Sequence, residues 1–400
     1  MVTQQYIQPD LKWQIDNISC QQAVSLETAP LSAEPGFLLW QKDIPERYWR
    51  LGGRELAGRI NAVKAQLGAR AVVLGHHYQR EDIIQFADYK GDSFNLARWA
   101  SQQRGAEYIV FCGVHFMAEA ADILSAPDQQ VVLPNMAAGC TMADMADPDD
   151  VLDCWQQLAA AGLSDSTLPV TYMNSTASLK AFCGGNGGIV CTSSNATAVL
   201  QWAFSQRERV LFFPDQHLGR NTGVKLGIPL EQMLVWDPAQ PLGGHTAAEL
   251  SRARIILWRG WCSVHMRFTT RQVADARAKY PGVTVLVHPE CTLEVVQAAD
   301  LNGSTEFIAK AIRAAPAGSA WAVGTEINLV SRLAREHPDK LVFCLDTVVC
   351  PCSTMYRIHP AYLGWVLEEL AAGRVANRLV VPEDTARLAK VALDRMLEVR

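Results

Sequence analysis

The segment Ile255-Ile256-Leu257-Trp258-Arg259-Gly260-Trp261-Cys262-Ser263-Val264-His265 decides how the chain is read. Its first four residues form an apolar run of strand length. Gly260 punctuates the run and predicts a tight turn. A thiol follows, and three residues later an imidazole. A cysteine after a buried strand is, taken alone, most often plain core. This one stands out because two other parts of the chain end in the same way.

Outward from this segment, from about residue 49, short apolar runs alternate with amphipathic stretches. Helices are expected at Glu55 to Gln66 and Ala177 to Phe182. Strands are expected at Ala71 to Leu74, Tyr108 to Phe111 and Val131 to Leu133. Such alternation predicts parallel sheets with crossover helices. A repeat runs through it. Val72-Val73-Leu74-Gly75-His76-His77-Tyr78 is a strand ending in polar side chains; a helix follows (Arg80 to Phe86), and Gly91-Asp92-Ser93 opens another. Val170-Thr171-Tyr172-Met173-Asn174 has the same form, with Cys191-Thr192-Ser193-Ser194 opening its second helix. Val285-Leu286-Val287-His288-Pro289-Glu290 repeats it, with Gly303-Ser304-Thr305. His76 to Ser93 is 17 residues (93 − 76), as is His288 to Thr305 (305 − 288), and Asn174 to Ser193 is 19 (193 − 174).

Each unit then reaches a cysteine: Cys140 after Val131 to Leu133, Cys262 after Ile255 to Trp258, and Cys350-Pro351-Cys352 after Leu341 to Phe343. The expected fold is α/β, with three similar parallel-sheet units at about 49–147, 148–265 and 266–376. Residues 1–48, rich in Gln, Pro and Ser, read as an extension. A final helix, Pro382 to Val399, closes the C-terminal segment 377–400.

The chain has 400 residues, 49% of them hydrophobic, and a mean hydropathy of +0.02, so it is globular rather than disordered. The formal net charge is −5 with no dense Lys/Arg run, which argues against nucleic acid or an anionic membrane as the main partner. The N-terminus lacks the pattern of a secretion signal, and no apolar stretch is long enough to span a bilayer. The expected compartment is the cytosol. Eleven cysteines without a regular framework then point to thiols, a metal site or catalysis before disulfides.

Ligands of parallel sheets gather at the carboxyl ends of strands. His76, Tyr78, Tyr172, Asn174, His288 and Glu290 are expected there. Ser93, Ser193 and Thr305 are expected at helix starts, where N–H groups and a partial positive charge favour anions. Each of these hydroxyls could equally be an N-cap. The cysteines admit four readings. Most of Cys20, Cys112, Cys154, Cys183, Cys191, Cys291 and Cys344 suit buried hydrophobic positions. Zinc would want paired Cys-x-x-Cys spacing, which is missing. A nucleophile would need a base, which only His265 offers Cys262 locally. One thiol from each unit could instead hold an iron–sulfur cluster with one iron left open.

Gly75-His76-His77-Tyr78-Gln79, Phe116-Met117-Ala118-Glu119, Gly139-Cys140-Thr141-Met142-Ala143, Tyr172-Met173-Asn174-Ser175-Thr176, Thr192-Ser193-Ser194-Asn195-Ala196, Pro214-Asp215-Gln216-His217-Leu218-Gly219, Gly260-Trp261-Cys262-Ser263-Val264-His265, His288-Pro289-Glu290-Cys291 and Val323-Gly324-Thr325-Glu326, in this order, closely resemble the quinolinate synthases. The resemblance covers about residues 70 to 365. It implies a [4Fe–4S] enzyme of de novo NAD, and so pyridine nucleotide, biosynthesis. Such an enzyme condenses iminoaspartate with dihydroxyacetone phosphate to quinolinate, releasing phosphate and water, and is linked to an L-aspartate oxidase that supplies the imine. It also implies three α/β units with pseudo-threefold symmetry around a central active site, and is compatible with a homo-oligomer.

Carried over residue by residue, the resemblance implies Cys140, Cys262 and Cys350 as cluster ligands. Cys350 is chosen because Pro351 follows it and Met355 lies five residues on, as in several members. Where some members have Cys-x-x-Cys-x-x-Cys this chain has Cys-Pro-Cys, so no disulfide switch is carried over. Implied substrate contacts are His76, Ser93, Tyr172, Asn174, Ser193, His288, Glu290 and Thr305. Tyr78, Glu290 and His265 are the proton-transfer candidates, with Glu290 serving the enolisation of the triose. His77 stands where Asn or Tyr is usual and is expected to face away from the substrate. The competing functions are another [4Fe–4S] hydro-lyase, and a non-catalytic cluster carrier or sensor.

Overall fold

The computed structural model describes residues 28–34, 37, 40–348 and 351–399. Four parallel strands, β1 (Ala71–His76), β2 (Tyr89–Gly91), β3 (Tyr108–Cys112) and β4 (Gln130–Val132), lie in the order β4-β3-β1-β2. Five more, β5 (Thr167–Tyr172), β6 (Ile189–Cys191), β7 (Arg209–Phe213), β8 (Met233–Trp236) and β9 (Ile255–Trp258), lie in the order β6-β5-β7-β9-β8. A third sheet holds β10 (Thr284–Val287), β11 (Leu301–Asn302), β12 (Ala320–Gly324) and β13 (Leu341–Cys344), in the order β11-β10-β12-β13. Strand β14 (Arg378–Leu379) pairs antiparallel with β4. Counted along the chain, second, first, third, last is therefore the strand order in all three sheets, with β8 as an insertion. The α/β reading and its three similar sheets are thus present in the structure.

The strands owe their state to composition. Every residue of β3, β5, β7 and β9 is buried, as expected where helices cover both faces of a parallel sheet. The repeat fixes register as well. His76 lies opposite Gly91, Tyr172 opposite Cys191, and Val287 opposite Asn302. His76, Tyr172 and His288 therefore leave their strands at matching places.

The chain gathers into two compact units. One contains residues up to Gly139, Tyr280–Val283 and Ala309–Val380; the other contains Cys140–Lys279, Thr284–Ile308 and the segment from Val381. In the first, the described part of the N-terminal extension is anchored by buried charge. Arg80 bonds Glu34 at 2.8 Å and Asp82 at 2.8 Å, and its guanidinium lies 4.2 Å from the Tyr356 ring centre. In the second, helix Glu383–Glu398 packs on helix Ala177–Gly185. A Cβ at Gly184 would overlap the carbonyl oxygen of Leu388, so only glycine permits this approach. Arg395 donates to the Gly188 carbonyl at 2.6 Å and Asn195 to that of Met396 at 3.3 Å. Among the described residues, no helix is long and apolar enough to cross a membrane.

Candidate active site and thiol positions

At the end of β5 and beyond β10, the second unit brings four of the expected site residues together. Tyr172 Oη donates to Glu290 Oε1 at 2.6 Å, and His265 Nδ1 lies 2.8 Å from Glu290 Oε2. The His265 and His288 rings stack, with centres 4.4 Å apart and planes 20° apart. The Glu290 N–H donates to His288 Nδ1 at 3.3 Å. Asn221 Nδ2 donates to the carbonyls of Pro289 and Cys291, each at 2.8 Å, which fixes the backbone on both sides of Glu290. Burial opposes the Glu290 charge, but the His265 and His288 imidazoles and the Tyr172 phenol outweigh it, so its pKa falls to about 2. An ionised carboxylate only accepts, so His265 Nδ1 is the donor. Burial, followed by the stacked His265 imidazole, drives His288 down to about 3, leaving it neutral. Its Nδ1 is an acceptor, so its proton is on Nε2. Asn174 completes this edge: its Oδ1 is buried with no hydrogen-bond partner among the described residues. Such an atom costs free energy unless something fills its lone pairs.

The first unit repeats the motif. The Tyr78 N–H bonds His76 Nδ1 at 3.1 Å, just as Glu290 N–H bonds His288. The Tyr78 ring stands edge-on to His76 with centres 4.9 Å apart, and its Oη lies 2.7 Å from Thr325 Oγ1. His77 is buried, and its carbonyl takes Arg332 Nη2 at 2.7 Å.

None of the three hydroxyls is a helix cap. Asp92 caps the helix of Ser93, accepting from Asn95 N–H at 2.9 Å. Ser304 Oγ accepts from Phe307 N–H at 3.3 Å ahead of Thr305. Ser193 differs from expectation, because its helix is Ala196–Gln206 and residues 193–195 form a turn. Asn195 Oδ1 accepts from the Thr192 N–H at 2.8 Å and its hydroxyl at 3.0 Å, which closes the turn and delays the helix.

Three cysteines share one local architecture. The carbonyls of Cys140, Cys262 and Cys352 accept from the N–H four residues on, of Asp144 (3.1 Å), Met266 (3.0 Å) and Tyr356 (2.9 Å). A 3-10 turn starts three residues after each, at Ala143, His265 and Met355. A longer helix starts eight residues after each, at Pro148, Thr270 and Pro360. Each cysteine is partly exposed, the next residue is exposed, and the two after it are buried. Cys350 lies outside the described residues. Position 350 is two before Cys352, as Ala138 and Gly260 are two before Cys140 and Cys262. In contrast, Cys112, Cys154, Cys183, Cys191 and Cys291 are buried; burial pushes the Cys112 thiol up to about 12. Cys140 and Cys262 form no disulfide. A Cys262 thiol, a His265 nitrogen and a Glu290 oxygen lie within 4.8 Å of one another, which is a donor set suited to a metal. Cys262 thus has the partial exposure and the neighbouring donors that a bound metal needs.

The family model described as quinolinate synthetase A protein matches residues 58–398. A quinolinate synthase of Corynebacterium glutamicum is 60% identical over 359 residues, covering 90% of this chain and 91% of that protein. The chain belongs to the quinolinate synthetase A family. The family's members in Streptomyces coelicolor and Geobacillus kaustophilus are 58% and 52% identical; this chain is covered to 86% and 89%, and theirs to 88% and 97%.

Two acidic residues of the family motifs went unassigned in the sequence reading. Asp215 and Glu326 are fully buried N-caps of the helices after β7 and β12. Burial pushes Glu326 up to about 7 and Asp215 well above the usual carboxylate range, the latter helped by the nearby Glu290 charge. The N–H groups of Leu218, His217 and Cys262 face the Asp215 carboxyl and oppose that rise. Only the Leu218 bond has full hydrogen-bond geometry, at 2.7 Å, and Oδ2 is left buried without a partner. Their signal in the sequence was an acidic residue directly before a helix and after an apolar strand.

Proposed function

We propose that this chain makes quinolinate from iminoaspartate and dihydroxyacetone phosphate, releasing phosphate and water, as a step of NAD biosynthesis. The observation that carries the reading is the buried Tyr172–Glu290–His265 group beside Cys262. The proposed metal centre is a [4Fe–4S] cluster held by Cys140, Cys262 and a third thiol from residues 350–352. When bound, it supplies a Lewis-acidic iron that assists departure of a hydroxyl as water. The Pro-following Cys350 was the sequence choice. The local architecture shared with Cys140 and Cys262 instead supports Cys352.

The protein's own groups would do the rest. Glu290, held ionised, keeps His265 in the tautomer with its Nε2 lone pair available, so the pair works as one base for the enolisation of the triose. His76 and His288 would each present an Nε2–H to substrate oxygens. Tyr78 would move a second proton. Ser93, Ser193, Thr305, Tyr172 and Asn174 would hold the carboxylates and phosphate, and the buried Asn174 Oδ1 supports this because it awaits a donor.

Anaerobically purified protein given both substrates should form quinolinate and phosphate in equal amounts. No quinolinate would exclude the reading in favour of another hydro-lyase or a cluster carrier. Iron and sulfide content should fall in Cys352→Ser and hold in Cys350→Ser; the reverse result would restore the sequence choice. A second reading, one metal ion on Cys262, His265 and Glu290, rests on their proximity. It predicts bound metal without sulfide.

A further inference from the structure

Asp215 and Glu326 occupy matching places. Each follows the third strand of its repeat and caps the next helix, Gln216–Lys225 or Ile327–Glu336. Each also faces a cysteine loop. Glu326 Oε2 accepts from Asn328 N–H at 2.7 Å, while Oε1 accepts from the Cys352 N–H at 3.2 Å and from Asn328 Nδ2 at 2.8 Å. Asp215 Oδ1 accepts from Leu218 N–H at 2.7 Å, and its Oδ2 makes no hydrogen bond among the described residues. Gln216 N–H donates to the Gly260 carbonyl at 3.0 Å, and Gly260 bridges to Asp215. A Cβ at Gly260 would overlap the Pro214 carbonyl oxygen, so the loop comes this close only as glycine. The first repeat has Val114 in this place. There a backbone bond holds the loop, from His115 N–H to the Ala138 carbonyl at 2.8 Å. A helix cap alone would not need to reach a cysteine amide as well.

We infer that Glu326 is a positioning residue that ties the Cys352 loop to a helix start and so fixes the direction in which that thiol is presented. The inference deepens the cluster reading and rests on it. Glu326→Asp keeps the cap and withdraws the second contact, being too short to reach the Cys352 amide. Asp215→Ser keeps its cap and has no hydrogen bond to Cys262 to lose, so it serves as the control.

The test is alkylation of the full-length, iron-free protein by iodoacetamide, followed peptide by peptide, beside iron release from the loaded protein to a chelator. Glu326→Asp should speed labelling of Cys352 by about tenfold, the scale set by one ordinary hydrogen bond, and leave Cys262 at its wild-type rate. Asp215→Ser should leave both cysteines at their wild-type rates. Glu326→Asp should release iron faster, with a melting temperature close to wild type. Unchanged labelling, or equal acceleration at both cysteines, overturns the inference. If Glu326→Asp fails to fold, Glu326→Ser keeps the cap and is scored by the same criteria. Wild-type protein lacking iron and sulfide would sink the cluster reading, while thiol labelling would still decide the positioning role.

Discussion

Glu290 shows how strongly a single side chain can be determined by its neighbours. Two donors, at 2.6 and 2.8 Å, hold its two oxygens and keep it charged in a buried place. A carboxylate at about pKa 2 is a weak base by itself, so its value lies in orienting His265. Glu290→Gln should therefore lower turnover by roughly 10²- to 10³-fold, the scale of a lost general base. The visible absorption of the bound cluster should persist. Full activity in the glutamine variant would remove both residues from the proton path. The sequence made Glu290 legible because it stands two residues beyond a strand-end histidine. Its charge state was not legible, since that depends on Tyr172 and His265, which lie 118 and 25 residues away. Cys352 was legible in principle. Thr141, Ser263 and Ser353 follow the three cysteines, and Pro148 and Pro360 stand eight residues after the first and third. Pro351 after Cys350 masks that period in the sequence.

At the scale of elements, the strands were read closely because buried parallel strands are written as apolar runs. Ile255–Trp258 matches its expected bounds, and Leu341–Cys344 exceeds them by one residue. Helix starts were harder. Side-chain bonds within a turn decide them, as Asn195 does for Ser193. Strand order was not legible at all, because it follows from pairing between distant segments. Helix packing depends on equally local detail. Gly184→Ala should cost about 2 kcal/mol, a usual penalty for overpacking a tight contact, since the new methyl meets the backbone of Leu388. Thermal unfolding measures this. A loss under about 0.5 kcal/mol, within the range of ordinary surface changes, would mean that the C-terminal helix yields to the methyl.

The whole molecule carries an acid liability. Burial drives His217 down to about 4, and His288 and His359 to about 3. His359 uses both ring nitrogens in the neutral form: Nδ1 accepts from Ala361 N–H at 3.0 Å, and Nε2 lies 3.0 Å from the Ala29 carbonyl. Unfolded histidines titrate near about 6.5. Between that value and the folded ones, the unfolded chain takes up protons that the folded chain refuses. The three histidines should therefore lower stability as pH drops from about 6.5 toward 4, opposed in part by the raised Asp215 and Glu326 carboxyls, which take up protons in the folded chain. Glu290 adds to the loss only below its unfolded value of about 4.3, as pH falls toward about 2. Melting temperature against pH tests this, and His359→Asn, which retains a capping side chain, should flatten the slope. An unchanged slope in that variant would clear His359 of the effect.

The two compact units are each assembled from separated stretches of chain. One needs Ala309–Val380 and the other needs the segment from Val381, whose helix lies on Ala177–Gly185. During synthesis, the first unit is complete only once Val380 has been made, and the second only once the helix Glu383–Glu398 has followed. Synthesis past Ala309, rather than emergence of a first contiguous domain, should therefore precede cooperative folding of either unit, and a chain cut before that point would leave both units unfinished at once.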